Sequence, residues 1–64
     1  MSFNNLDTLY DKLQNVINDS QSDVSKFVKG NNSAGTRVRK AMQTVKSLAQ
    51  EVRVEIQDQK NKQF

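Results

Sequence analysis

The chain contains no cysteine, histidine, proline or tryptophan, and only two of its 64 residues are glycine. Without cysteine there is no disulfide and no thiolate metal site, which fits a reducing compartment. Without histidine the commonest metal ligand and general base is missing. Without proline nothing breaks a helix from within. No run of about 18 apolar residues occurs, so no transmembrane span is expected. The start, Met1-Ser2-Phe3-Asn4-Asn5, has neither the basic nor the apolar region of a signal peptide, and a cytoplasmic location is the expectation. No nucleophile–base pair and no phosphate-binding loop can be assembled, so no enzyme activity, cofactor, metal or small-molecule substrate is expected. Glu51 and Glu55 lie one helical turn apart, but two carboxylates alone are ordinary surface charges.

What is present is helical pattern and uneven charge. In residues 1–30, Lys12, Lys26 and Lys29 stand against Asp7, Asp11, Asp19 and Asp23, a net charge of −1. In residues 31–64, Arg37, Arg39, Lys40, Lys46, Arg53, Lys60 and Lys62 stand against Glu51, Glu55 and Asp58, a net charge of +4. This asymmetry suits a polyanionic partner, although a solvated helix face is the plainer explanation.

The chain divides at the stretch from Gly30 to Lys40, the one real break in a helix-forming sequence. Before it, Phe3, Leu6, Tyr10, Leu13, Ile17, Ser20, Val24 and Phe27 form a 3-4 heptad seam. Leu9 and Val16 widen the seam on one side and Val28 on the other. Ser2 or Asn5 can cap this arm, and Asp7 suits its first turn. The polar run Asn18 to Asp23 has poor helix propensity, yet the apolar phase resumes in register at Val24, so the helix should pass through it. Lys26 and Lys29 favour the last turn, and Gly30 supplies a left-handed stop.

After the break, Asn32 or Ser33 can cap a second helix. Its stripe runs through Ala34, Val38, Ala41, Met42, Val45, Leu48, Ala49, Val52 and Ile56. Val54 lies off the stripe and should be exposed. Beyond Ile56 the polar residues should fray. Arg39, Lys46, Arg53 and Lys60 recur every seven residues and form one row, with neighbours about 10.5 Å apart along the axis.

These patterns predict an all-α chain, a single antiparallel helical hairpin over residues 1–64. Helix one should span about 3–29, the turn 30–32 and helix two about 33–61, with a frayed C-terminus. Asp11 should lie near Arg53 and Asp7 near Lys60, neutralising the open end. At the closed end Lys26, Lys29, Arg37, Arg39 and Lys40 gather, and only Asp23 is near enough to offset them. The backbone N–H groups of about Ser33 to Thr36 add a helix N-terminus, the hydroxyls of Ser33 and Thr36 add donors, and Gly35 leaves room for a phosphate. Gly30, Asn31 and Lys46 complete the candidate DNA-binding set. A turn and cap alone would explain Gly30 and Ser33 but not five positive charges at one end.

The apolar faces are too wide for one two-helix contact, and so short a hairpin rarely stands alone. A homodimer forming a four-helix bundle is therefore expected. Its interface is to be drawn from Leu6, Leu9, Tyr10, Leu13, Val16, Ile17, Val45, Leu48 and Val52. Aligned tips would suit one duplex and opposed tips two; the sequence is compatible with both.

Lys29-Gly30-Asn31 followed by Ala34-Gly35-Thr36-Arg37-Val38-Arg39-Lys40 resembles the Lys-Gly-Asn…Ala…Arg-x-Arg signature of the chlamydial histone-like, linker-histone-like family. The resemblance covers the second half of the chain well, to about Lys60, and the first half in pattern. It implies a nucleoid-associated protein of bacterial or phage origin that contacts DNA through Lys29, Gly30, Asn31, Arg37, Arg39 and Lys40. The chlamydial proteins carry a long Lys- and Ala-rich tail that this sequence lacks, so the expectation is weaker or oligomer-dependent binding.

Two functions follow as expectations. One is non-specific binding of double-stranded DNA through phosphates. The alternative is an oligomerising helical adaptor with a protein partner and no nucleic acid. A peripheral membrane helix fits less well, because the apolar faces are committed to each other. The aromatics are not interleaved with the basic residues, so no stacking platform for single strands is visible.

Overall fold

The computed structural model describes residues 4–62, which form two helices, α1 (Asn5–Val28) and α2 (Asn32–Lys62). They lie antiparallel as a hairpin whose extents are 52 × 22 × 11 Å, a slab one helix thick. Neither helix is long and apolar enough to cross a membrane.

Each helix end has an identifiable cause. Asn4, in extended backbone, caps α1: its side-chain oxygen accepts from the Leu6 N–H at 2.9 Å. Sequence reasoning pointed to Ser2 or Asn5. Asn4 occupies the position because its oxygen reaches the second N–H of the helix, a contact worth about 1 kcal/mol. At the other end the Asn31 N–H donates to the Lys26 carbonyl at 3.0 Å, and the Gly30 N–H donates to the Phe27 carbonyl at 2.9 Å. That pair of bonds is the Schellman stop, and it places Gly30 at φ 109°, a conformation open to glycine at no steric cost.

Asn31 then has a second task. Its side-chain oxygen accepts from the Ala34 N–H at 3.1 Å, so the residue that closes α1 also caps α2. The expected caps, Asn32 and Ser33, lie inside α2 instead. The turn is thus Lys29, Gly30 and Asn31, one residue earlier than the spacing predicted.

The seam between the helices is a phase of the pattern that sequence reasoning assigned to the margin. On α1 the less exposed positions are Leu6, Leu9, Leu13, Val16, Ser20 and Asp23; on α2 they are Ala34, Val38, Ala41, Val45, Leu48, Val52, Glu55 and Gln59, with the small residues Gly35 and Ala49 half-buried beside them. Apart from Gly35 and Ala49, both sets follow 3-4 spacing. Leu9 and Val16, read as flanking residues, belong to the seam, while Tyr10, Ile17 and Val24 are 45–52% exposed. A hairpin with one partner helix can bury only one stripe. The stripe through Leu9 and Val16 also places Asp23 toward Arg37, which the other phase does not.

Among the described residues only Ala34 and Ser20 are buried. The Ser20 hydroxyl donates to the Ile17 carbonyl one turn back at 2.8 Å, which removes the cost of burying it. Asn18 to Asp23 is helical throughout, and Val54 is 56% exposed, both as the pattern required. Past Ile56 the chain does not fray within the described residues. Helix continues to Lys62, with Gln59 donating to both Asn4 at 2.8 Å and Glu55 at 3.2 Å. Ser2, Phe3 and Phe64 lie outside the described residues.

Candidate nucleic-acid interface

The bend brings the C-terminal turn of α1 and the first two turns of α2 together, and with them all the candidate residues except Lys46. Lys26 and Lys29 come from one side of the turn, Arg37, Arg39 and Lys40 from the other, and all five are exposed. Lys46 stands about two turns further along α2, on the same row as Arg39 and about 10.5 Å from it along the axis.

The five cations are not equivalent. Arg37 is held by Asp23: its Nε donates at 3.0 Å and its terminal nitrogen lies 2.9 Å from the same carboxylate oxygen. That guanidinium hydrogen bond is the main reason Asp23 ionises below the ordinary 3.8, with the charges of Arg37 and Lys26 adding to it against some desolvation. Among the described residues, Lys26, Lys29, Arg39 and Lys40 have no ion-pair partner. The tip therefore keeps four free positive charges after its one nearby acid is used.

The backbone donors also sit differently from the expectation. Because α2 starts at Asn32, its first N–H groups are those of Asn32, Ser33 and Ala34, and the Asn31 side chain already takes the last of these. The N–H groups of Gly35 and Thr36 fall inside the helical ladder. The unclaimed pair is Asn32 and Ser33, exposed beside Lys29. Gly35 does not open a path for a phosphate. A Cβ at that position would come within 2.5 Å of the Phe27 ring, so the missing side chain makes room for Phe27. A shallow groove lined by Val24, Phe27, Gly35, Val38 and Arg39 runs along this side of the tip.

Among the described residues the open end is closed by amide hydrogen bonds rather than ion pairs. Asn5 donates to Glu55 at 3.1 Å and Gln59 to Asn4. The hydrogen bond from Asn5, followed by that from Gln59, makes Glu55 more acidic than its ordinary 4.5. The expected contacts of Asp7 with Lys60 and Asp11 with Arg53 are not made, because the seam phase turns both aspartates off the hairpin's midline. Folding lowers the pKa of Asp23 and of Glu55. Their contribution to stability is thus complete above the ordinary values of 3.8 and 4.5 and is lost as the pH falls through the lower folded values. Among the described residues no three metal-ligating side chains come together.

The cationic turn lies within the region the chain shares with known proteins. Residues 7–62 match the family described as histone H1-like protein Hc1. No curated protein and no solved structure matches the chain. The family match spans nearly all of α1, the turn and the whole of α2, and so the chain belongs to the histone H1-like protein Hc1 family.

Proposed function

We propose that the protein is a small nucleoid-associated factor that binds duplex DNA without sequence preference, through phosphate contacts from its basic hairpin tip. The observation that carries this reading is the set of exposed cations Lys26, Lys29, Arg39 and Lys40 around one bend, unpaired among the described residues, with the free N–H groups of Asn32 and Ser33 among them. Membership of a histone H1-like family supports it. The chemistry is charge neutralisation with release of condensed counterions, which needs positive charge within reach of a phosphate backbone and no reading of base edges. Tyr10 and Phe27, the described aromatics, lie on apolar faces, which fits a duplex better than a stacked single strand. The test is a gel-shift titration with random-sequence duplex at two salt concentrations. Affinity is expected to fall linearly with salt on a log–log plot and to ignore sequence. Absence of binding at low salt would sink the proposal in favour of a helical adaptor for a protein partner.

Asp23 supplies a sharper test, because it restrains the tip. Asp23→Asn releases Arg37 while leaving the seam amide-sized. The slope should steepen by about 0.9 and affinity at 0.1 M salt should rise roughly eightfold, one additional phosphate contact. Salt-dependent titration of the variant beside the parent checks this. An unchanged slope with unchanged helicity would show that Arg37 stays out of the interface even when free.

A further inference from the structure

The hairpin leaves an apolar face that its own seam does not use. Tyr10, Ile17 and Val24 on α1 and Met42, Ala49 and Ile56 on α2 all stand one position to the same side of the seam. In an antiparallel pair such positions share one face, as the groove joining Val24 to Gly35 and Val38 shows at the tip. Tyr10, Ile17, Val24, Met42 and Ile56 are 39–52% exposed. The accessible surface of the chain is 5413 Å², whereas a compact monomer of 7.3 kDa shows about 4,200 Å². The excess, about 1,200 Å², exceeds the roughly 800 Å² that each partner contributes to a standard interface. A one-layer slab lacks the second layer that a domain core needs.

We infer that this face is covered by a second copy of the chain, stacked face to face with both cationic tips at the same end. Charge selects this arrangement. Arg39, Lys46 and Arg53 each precede Met42, Ala49 and Ile56 by three residues, and Lys60 follows Ile56 by four. The basic row therefore borders the α2 side of the face. The corresponding border on α1 is Asp7, Gln14 and Gln21, each three residues before Tyr10, Ile17 and Val24. Two isologous stackings exist. With the tips opposed, α2 lies on the partner's α2 and the basic rows meet: Lys46 faces its own copy and Arg39 faces Arg53 along the whole interface. Like charges so placed are strongly unfavourable.

With the tips aligned, each α1 lies on the partner's α2. The register set by Asp23 with Arg37 and by Asn5 with Glu55 places Asp7 level with Arg53. Asp7 makes no ion pair within the described residues of its own hairpin, and here it meets Arg53 across the interface. The amides of Gln14 and Gln21 lie beside Lys46 and Arg39. The like charges that remain together are those of the two tips, at an exposed end. If the tip binds phosphate as proposed above, that end is one site built by two copies.

The test uses the chain without DNA, so it stands or falls separately from that reading. Solution mass from light scattering should correspond to two chains. The double variant Ile17→Gln/Met42→Gln should give the monomer mass with its helical circular dichroism retained, since both residues lie off the hairpin seam. The chain has no native cysteine, which makes crosslinking clean. The aligned register puts Ile17, level with Gln43, against the Met42 side of the partner. An Ile17→Cys chain mixed with a size-tagged Met42→Cys chain should oxidise to the mixed dimer, and Ile17→Cys alone should not. A monomeric parent would overturn the interface. Efficient crosslinking of Ile17→Cys to itself would overturn the aligned arrangement.

Discussion

Replacing Lys29, Arg39 and Lys40 together by glutamine is expected to cost two to three orders of magnitude in affinity for duplex DNA at 0.1 M salt, and to flatten the salt dependence by about 2.7. Each lost phosphate contact removes roughly 0.9 from the slope, and the affinity loss follows from extending that slope to 1 M. These three are chosen because none has an ion-pair partner among the described residues and all are exposed on the rim of the turn. Arg37 is left in place because Asp23 already occupies it. The hairpin itself should be indifferent to the change, since none of the three lies in the seam. The control removes the same charge elsewhere, at Lys12, Lys60 and Lys62. If both triple variants lose affinity equally, net charge and not the tip governs binding, and the tip assignment fails.

The outline of the fold was legible because two strong signals agreed. Heptad spacing continued across the polar run to Val24, and Gly30 followed Lys26 and Lys29 where a helix must stop. The choice of seam was less legible. Leu6, Leu13, Ser20 and Phe27 belong to both candidate stripes, and the choice between Leu9 with Val16 and Tyr10 with Ile17 is a rotation of one position. Hydrophobicity alone does not decide it, since all four are apolar. The observed phase is the one that also brings Asp23 to Arg37 and Asn5 to Glu55, contacts that depend on two helices at once.

The cap at Asn31 was missed for a related reason. The Lys-Gly-Asn run reads as the end of one helix, and the same asparagine side chain also begins the next. Gly35 looked like an opening for a ligand, whereas its missing Cβ is filled by Phe27 from eight residues earlier across the bend. The clustering of cations at the tip was visible from the sequence, because it needs only the position of the turn. Which of them are free needed the geometry of Asp23.

Ala34→Leu is expected to be the most damaging single substitution for the hairpin, and the reason also connects its stability to the tip. Ala34 is 0% exposed, the one apolar side chain wholly enclosed among the described residues, directly after the three-residue turn that joins the helices. Its N–H is held by Asn31, and its neighbour Gly35 is already in contact with Phe27, so neither backbone nor ring can yield without releasing a bond or a contact. Overpacking of this kind costs about 1–3 kcal/mol. For a chain of this length each kcal/mol lowers the melting temperature by about 4–8 °C, so a fall on the order of 10 °C is expected. Thermal melting followed by circular dichroism at fixed protein concentration measures it, with Val54→Leu, at a 56% exposed site, as the control that should not move. An unchanged midpoint for Ala34→Leu would show that the helices do not close where the seam places them. Prising the helices apart at Ala34 also separates Lys26 and Lys29 from Arg39 and Lys40, so the salt slope for DNA should flatten below the melting transition, while the helices are still intact. A shared loss of stability and slope would tie the tip's charge density to the tightness of a single alanine contact.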